Sequence, residues 1–526
     1  MSYELASQPR GATIMRPRWP LRVVVSAWMR QHSQALTVAG LIASLAYYYL
    51  IHSNPLALPG LLVFIWLTWR RLDLALCVLP LTFPFWYVPK RVYGGHVFPL
   101  SEIALTVCIA VALLYEGRHV RVGLDHARIW TRAYYLGHRV GAWVIVGAGL
   151  LFAGTTIGVV IAGHPHEALR TFRWEIAEPM LYALGLMLYV RGRSTVRLLV
   201  WSFLAAATLL AVLAIVQVTA VHQTYSSLAQ GNHLVPYTGS AGSLRATAFV
   251  FGSPNNLGAW IERAAPLALA LGLSVGGRRR ARLSALACLA VGALALYWTG
   301  SRGAWIGAAL GCVVVLCASI GKRWLPVALA AGTAALLLWQ RTAFTHALLS
   351  GHNNTGSLRL LIWLAGLRMI RDHPVFGLGP DQFLYRYSNL YTTHPYWVTT
   401  LNGKSTIVTS QPSLAHPHNL LLELWISGGV LAVIGFAALL WTLCRRGARL
   451  WRAGQRTLTD ERAAWRGAVA LGIIGALVAA VTHGMVDTAY FFPDLALIFW
   501  MLVALLIGLE RLLPPLRNIS AIPHDR

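Results

Sequence analysis

Two histidines flank a proline in Ala415-His416-Pro417-His418-Asn419, immediately before an apolar run that starts at Leu420. An imidazole is the one side chain that accepts a proton near neutral pH without help from its surroundings. His418 is therefore a candidate general base. His416 shapes the turn, and the Asn419 amide can orient the imidazole. Paired histidines also ligate metals, but two residues apart around a proline, with no cysteine nearby, they give a weak metal signal. No metal site and no cofactor are expected.

The second set of chemically capable residues is basic. Arg173, Arg245, Arg302 and Arg359 lie beside apolar runs, in segments that the charge distribution below turns away from the cytoplasm. Arg302 is the sharpest case, in the short turn Thr299-Gly300-Ser301-Arg302-Gly303-Ala304-Trp305 between two such runs. An arginine at membrane depth costs on the order of 2.5–3.5 kcal/mol on insertion scales, so it calls for a partner. One candidate is a carboxylate on the same side: Glu167, Glu175, Glu178, Asp372, Asp381, Glu423, Asp487 or Asp494. The other is an anionic ligand, since planar guanidinium forks match phosphate oxygens. The sequence has no GxxxxGK[ST] phosphate loop and no GxGxxG after a strand. It also lacks the acidic pair at an outward span end that many metal-dependent lipid-linked transferases use. An enzyme facing outward has no ATP, so its donor must carry its own activation.

The elements that must position these residues are membrane spans. Hydrophobic residues make up 57% of the 526 and charged residues 12%, with a mean hydropathy of +0.58. A soluble domain carries about 25% charged residues, so this chain cannot coat a globule of its size. Apolar runs of about 17–25 residues, the length that crosses a bilayer core, recur as fourteen candidates: 35–53, 55–69, 72–88, 99–115, 141–162, 176–190, 197–221, 258–276, 282–298, 303–320, 324–339, 419–442, 466–488 and 491–512. Several are short, so the expected fold is an all-α polytopic bundle of 12–14 spans with a large, partly helical extracytoplasmic loop.

The net charge of +26 suggests nucleic acid until its distribution is considered. With the N-terminus cytoplasmic, 31 of the 44 Lys and Arg fall in cytoplasmic segments, 12 in outward ones, and Arg263 inside a span. That asymmetry is the positive-inside rule, and it needs no polyanionic partner. Residues 1–34 read as a basic cytoplasmic tail, 35–339 as a transmembrane bundle, 340–418 as a large periplasmic loop, 419–512 as C-terminal spans and 513–526 as a cytoplasmic tail. All six cysteines fall in spans or at a cytoplasmic end, so no outward disulfide is available.

Two outward segments are long: 222–257, rich in Gly, Ser and Asn, and 340–418. A structureless connection of that length is unusual unless it has a function. Within the second, Leu358–Arg371 reads as an amphipathic helix on the membrane surface, capped by Ser357 and stopped at Asp372-His373-Pro374. A glycine-rich turn follows, then Phe383, Tyr385, Tyr387, Tyr391, Tyr396 and Trp397. These rings suit an interfacial belt or a platform for sugar rings.

Arg245-Ala-Thr-Ala-Phe249 through Asn255-Asn256, the Ser301-Arg302-Gly303-Ala304 turn, Arg359 with Pro374-Val-Phe-Gly-Leu-Gly379, and His416-Pro-His-Asn419 with Gly428-Gly429 resemble the O-antigen ligase and polymerase family. The resemblance spans roughly residues 170–505. It implies a bacterial inner-membrane glycosyltransferase of the cell envelope that moves a glycan from undecaprenyl diphosphate to a sugar hydroxyl on a glycan or glycolipid acceptor, without metal. By that analogy Arg245, Arg302 and Arg359, with Arg173, hold the pyrophosphate; His418 acts on the acceptor; Ser301, Asn255, Asn256, His416 and Asn419 support them. Fourteen spans exceed the twelve usual for the ligases, which leaves ligase and polymerase both open. The rival class is a transporter or flippase for a lipid-linked or anionic substrate, for which the intramembrane Glu262-Arg263 pair is the main feature. Transfer to a protein acceptor would differ only in the acceptor.

Overall fold

The computed structural model describes residues 33–92, 95–121, 137, 140–221, 225–226, 235–236, 245–274, 278–321, 355–387, 391, 397–401, 404–408, 416–457, 460–488 and 490–512. Helices dominate: α1 (Ser33–Leu50), α2 (Asn54–Arg70), α3 (Leu72–Val78), α4 (Leu100–Arg121), α5 (Ala142–Ile161), α6 (Pro165–Phe172), α7 (Glu178–Tyr189) and α8 (Arg193–Val216) form the first half. The second half holds α9 (Pro254–Leu273), α10 (Arg279–Thr299), α11 (Arg302–Ile320), α12 (Thr355–Asp372), α13 (Gln382–Arg386), α14 (Leu420–Arg456), α15 (Glu461–Gly484) and α16 (Pro493–Arg511). Strands among the described residues are confined to three two-stranded antiparallel ribbons. Eight helices there are long and apolar enough to cross a membrane. The fold is an all-α polytopic membrane bundle.

Thirteen of the fourteen expected spans contain helix, while 324–339, 1–32 and 513–526 lie outside the described residues. The segment 72–88 breaks after α3 into two 3-10 turns, 79–81 and 83–86, because Pro80 and Pro84 remove the amide donors a continuous helix needs.

The bundle is tight where small residues let backbones meet. α14 packs along α5 and α15, and α9 against α10, α11 and α15. A Cβ on Gly147 of α5 would sit 2.9 Å from the Gly435 carbonyl of α14, and one on Gly311 of α11 2.4 Å from that of Gly475 in α15. Such contacts drive association between helices in lipid, where apolar burial alone offers little.

α14 runs past its expected end at 442 and is broken within the bundle. Gly428 and Gly429 leave helical geometry, Gly429 at φ +65°. The loop after α12 fills the break: Val430 N donates to Val375 O at 3.0 Å, and Leu378 N and Gly379 N donate to Ile426 O at 2.7 and 3.0 Å. Irregular backbone at such depth survives only where protein satisfies it. A Cβ on Gly429 would lie 2.0 Å from Val375 O, so no larger residue fits there.

α12 begins at Thr355, ahead of the expected cap Ser357, and ends at Asp372 before Pro374. Its Ile362, Ala365 and Met369 pack with Leu378, Phe383, Tyr387 and Ile426. The apolar face thus covers protein, while Leu364, Leu367, Arg368 and Arg371 are exposed. The aromatic tract divides accordingly. Phe383 and Tyr387 are buried and stacked at 5.2 Å, which removes them from any sugar platform. Tyr385 stacks on His164 at 3.9 Å, and Tyr391 donates to Asp372 at 3.1 Å. The Tyr396 and Trp397 side chains lie outside the described residues.

The expected orientation has its own test. With the native cysteines replaced, an impermeant thiol reagent applied from outside should label Thr400→Cys and miss Trp130→Cys. The reverse pattern would turn the molecule over.

Candidate active site

The N-terminal ends of α9, α11 and α14 meet the C-terminal ends of α10 and α15 at one end of the bundle, and the site lies there. Ser253 caps α9 by accepting from Asn255 N at 3.2 Å, which fixes Asn255 in its first turn. Gly300 closes α10 in the left-handed conformation at φ +59°. Its bare Cα admits Arg245, whose Nε a Cβ there would approach to 3.1 Å. Arg245 Nε donates to Thr299 O at 2.7 Å and Nη2 to Asn255 Oδ1 at 3.1 Å.

These bonds converge on one carboxylate. Asn255 Nδ2 donates to Asp487 Oδ2 at 2.7 Å, and Arg359 Nη2 reaches the same oxygen at 3.3 Å. Asp487 Oδ1 accepts from Thr488 N at 2.8 Å and lies 2.7 Å from His418 Nδ1. Burial alone would raise this carboxyl; the His418 hydrogen bond and the charges of His418, His483 and Arg359 outweigh it and hold the group well below the usual range. An ionised Asp487 accepts Nδ1–H from His418 and leaves Nε2 as the basic nitrogen. The orientation is enforced by backbone. His418 sits at φ +48°, a conformation costing on the order of 1–3 kcal/mol outside glycine and tolerated where surroundings impose it. Here Trp363 Nε1 donates to its carbonyl at 3.4 Å.

The Asn419 amide does not orient His418. Its Oδ1 caps α14 by accepting from Leu421 N and Leu422 N, and its Nδ2 donates to Met485 O at 3.0 Å. Its role is to tie the start of α14 to the turn carrying Asp487.

Arg302 opens α11 and is exposed. Its turn abuts the cluster, because a Cβ on Gly303 would lie 2.3 Å from the His483 ring. Ser301 is buried beside Gly258, where a Cβ would approach to 3.1 Å. His483 Nε2 is 3.9 Å from Asp487 Oδ2, and its Nδ1 is 2.9 Å from Glu262 Oε2. Glu262 in turn pairs with Arg263 at 3.0 Å. The sequence shows Glu262-Arg263 only as an isolated pair and does not single out His483; the structure joins all three to Asp487. The available signal is His483 four residues before Asp487 at a helix end expected to face outward.

Two expected residues point elsewhere. Arg173 bonds Glu102 at 2.7 Å and Glu178 at 3.4 Å, away from the Asp487 cluster. Asn256 donates to Tyr87 OH at 3.3 Å, within a buried group that includes Asp494 and Trp260.

His416 forms a separate pair, with Nδ1 3.4 Å from Glu423 Oε1 and its ring 5.5 Å from that of Phe492. Burial alone would lower its pKa, but Glu423, with Glu175 and Asp381 beyond it, lifts it to about 9. The folded value exceeds the ordinary 6.5, so the stabilisation is complete below about pH 6.5 and is lost as pH rises through about 9. Relative to His416→Gln, the wild-type unfolding midpoint should therefore fall across that window. Parallel curves would show that the pair contributes nothing.

Among the described residues no group of His, Cys, Asp and Glu is arranged to hold a metal ion. Comparison with known families gives a match to the O-antigen ligase model over residues 285–437. No curated protein matches the chain. The matched stretch contains Arg302, Arg359, His416 and His418, whereas Arg245, Asn255 and Asp487 join it from outside through the bonds above. Its two ends, α10–α11 and α12–α14, flank the Asp487 cluster, and residues 285–437 of this multispan membrane bundle thus match the O-antigen ligase family.

Proposed function

We propose that the protein is a glycosyltransferase of the cell envelope that moves a glycan from undecaprenyl diphosphate to a sugar hydroxyl of a glycan or glycolipid acceptor, at the outward end of the bundle. The observation that carries this reading is the 2.7 Å contact between His418 Nδ1 and Asp487, on a carboxylate that also gathers Arg359 and, through Asn255, Arg245. A base and a cationic anion site thereby share one support.

In the proposed reaction His418 Nε2 takes the proton of the acceptor hydroxyl as its oxygen bonds to the anomeric carbon of the donor. The bond from that carbon to the phosphate oxygen breaks, and undecaprenyl diphosphate departs with the electron pair. Negative charge grows on the diphosphate during this step, so fixed guanidinium groups favour the transition state over the ground state. Arg245, Arg302 and Arg359 supply that charge in place of a divalent cation. The Glu262-Arg263 pair, the chief support for a transporter, instead braces His483 beneath Asp487.

The test is direct. Purified protein in excess chelator, given a lipid-diphosphate glycan, should form a new glycosidic bond. Offering a glycolipid in one reaction and a second lipid-linked glycan in another distinguishes ligase from polymerase by product. Movement of the lipid across vesicles with no bond formed would overturn the proposal.

Lysine in place of Arg302 or Arg359 keeps the charge and loses the planar fork. Losing a charged hydrogen bond to a desolvated phosphate costs about 1.5–3 kcal/mol, so each change should weaken donor use roughly ten- to a hundredfold. Arg368→Ala and Arg371→Ala, exposed on the far end of α12, serve as controls. If the lysine variants match those controls in a donor titration, the diphosphate binds elsewhere.

A further inference from the structure

At the end of the bundle opposite Asp487, α8, α9, α10 and α15 line an open cavity of about 120 Å³. Arg197, Arg278 and Arg282 line it with Glu461 and the indoles of Trp201 and Trp465. Its charges do not balance. Glu461 answers both Arg193 at 3.8 Å and Arg197 at 3.4 Å. Asp460 caps α15, accepting from Arg462 N at 2.8 Å. Five arginines, counting Arg462, thus surround two carboxylates. The Arg193 Nε is buried with no hydrogen-bond partner among the described residues. Arg282 Nε is held by Gly272 O at 3.0 Å, whereas Arg278 is exposed at the rim. Arg197 lies 5.3 Å over the Trp465 ring, which fixes the plane of its fork and leaves donors for an anion.

Position in the membrane indicates where that anion comes from. α10 runs 21 residues from this cavity to Thr299 beside Arg245, about 30 Å at 1.5 Å per residue, the thickness of a bilayer core. The cavity therefore opens at headgroup depth on the face opposite the candidate active site, where the expected cytoplasmic segments 191–197, 277–282 and 443–466 gather their arginines. Basic pockets between spans on that face suit anionic lipid headgroups, and the two indoles offer apolar walls for the glycerol and the first methylenes.

We propose that this cavity binds the phosphodiester headgroup of an anionic phospholipid, with Arg197 and Arg278 on the phosphate oxygens. The test uses the full chain in detergent, titrated separately with cardiolipin, phosphatidylglycerol, phosphatidylcholine and inorganic phosphate. Retained lipid is followed by native mass spectrometry, together with the unfolding midpoint. Anionic lipid should be retained and raise the midpoint, and phosphatidylcholine should do neither. At roughly fivefold per basic residue near an anionic lipid, the exposed Arg278→Gln should weaken binding about fivefold, and Arg197→Gln with Arg278→Gln about thirtyfold. Arg280→Gln, exposed outside the cavity lining, should bind as wild type. Equal retention by wild type and the double variant, or equal stabilisation by phosphatidylcholine, would overturn the proposal. So would full stabilisation by millimolar inorganic phosphate, which would make this a site for a soluble anion.

Discussion

His418→Ala is expected to lower glycan transfer about 10²–10⁴-fold, the usual contribution of a positioned base, with donor binding unchanged. A sugar hydroxyl is a poor nucleophile, and the arginines that would hold the diphosphate do not depend on the imidazole. The left-handed backbone at His418 complicates alanine, so His418→Asn is the companion variant, because asparagine tolerates that conformation. It should fold as wild type and lose transfer to the same degree. His416→Ala should be milder, since His416 pairs with Glu423 away from Asp487. Transfer and donor binding measured on the same preparations decide the matter. Near-normal transfer by both His418 variants would move the base to Glu175, Glu178 or Asp487, or leave an arginine-driven dissociative reaction that needs none.

Asp487→Asn should be as damaging to transfer and should differ in what it does to the donor. Asparagine keeps the shape but can donate toward Nδ1, which favours the imidazole tautomer whose Nε2 already carries a proton. That loss is of the same order as loss of the base itself. The same change removes the counter-charge from Arg359 and from the Arg245–Asn255 link, so both guanidinium groups become freer to meet a diphosphate. Transfer should therefore fall about 10²–10⁴-fold while the donor binds as well as in wild type or better. A residue that merely held the fold together would weaken both. Groups that act as a unit are non-additive, so His418→Ala with Asp487→Asn should be little worse than the worse single variant. Multiplying losses would show that the two residues act separately.

The membrane bundle was legible because length and apolarity decide it. A helix that must satisfy its own backbone in lipid announces itself as an unbroken run, and α5, α10, α11 and α16 lie within a few residues of their expected bounds. The site was half legible. Arg302 stands out as a charge where charge is disfavoured, and His418 as an imidazole at a span end. Asp487 did not stand out among eight outward carboxylates, because what distinguishes it is convergence: its partners come from positions 255, 359, 418 and 483. No local pattern encodes that meeting. Arg173 shows the converse. It breaks the charge rule as Arg302 does, yet Glu102, 71 positions away in sequence, neutralises it.

The mortise that the broken α14 offers to the 375–379 loop also makes α12 a lever. The loop that follows its C-terminal end is pinned by three backbone hydrogen bonds to α14. The other end carries Arg359, whose described link across the site is the 3.3 Å contact with Asp487. Between Arg359 and Asp372 lie about 20 Å of helix at 1.5 Å per residue. A swing of about 10° around the pinned end moves the guanidinium roughly 3.5 Å over that length, enough to part it from Asp487 with every helical hydrogen bond intact. The pair of glycines in the neighbouring span is thus the fulcrum that sets how far Arg359 stands from Asp487.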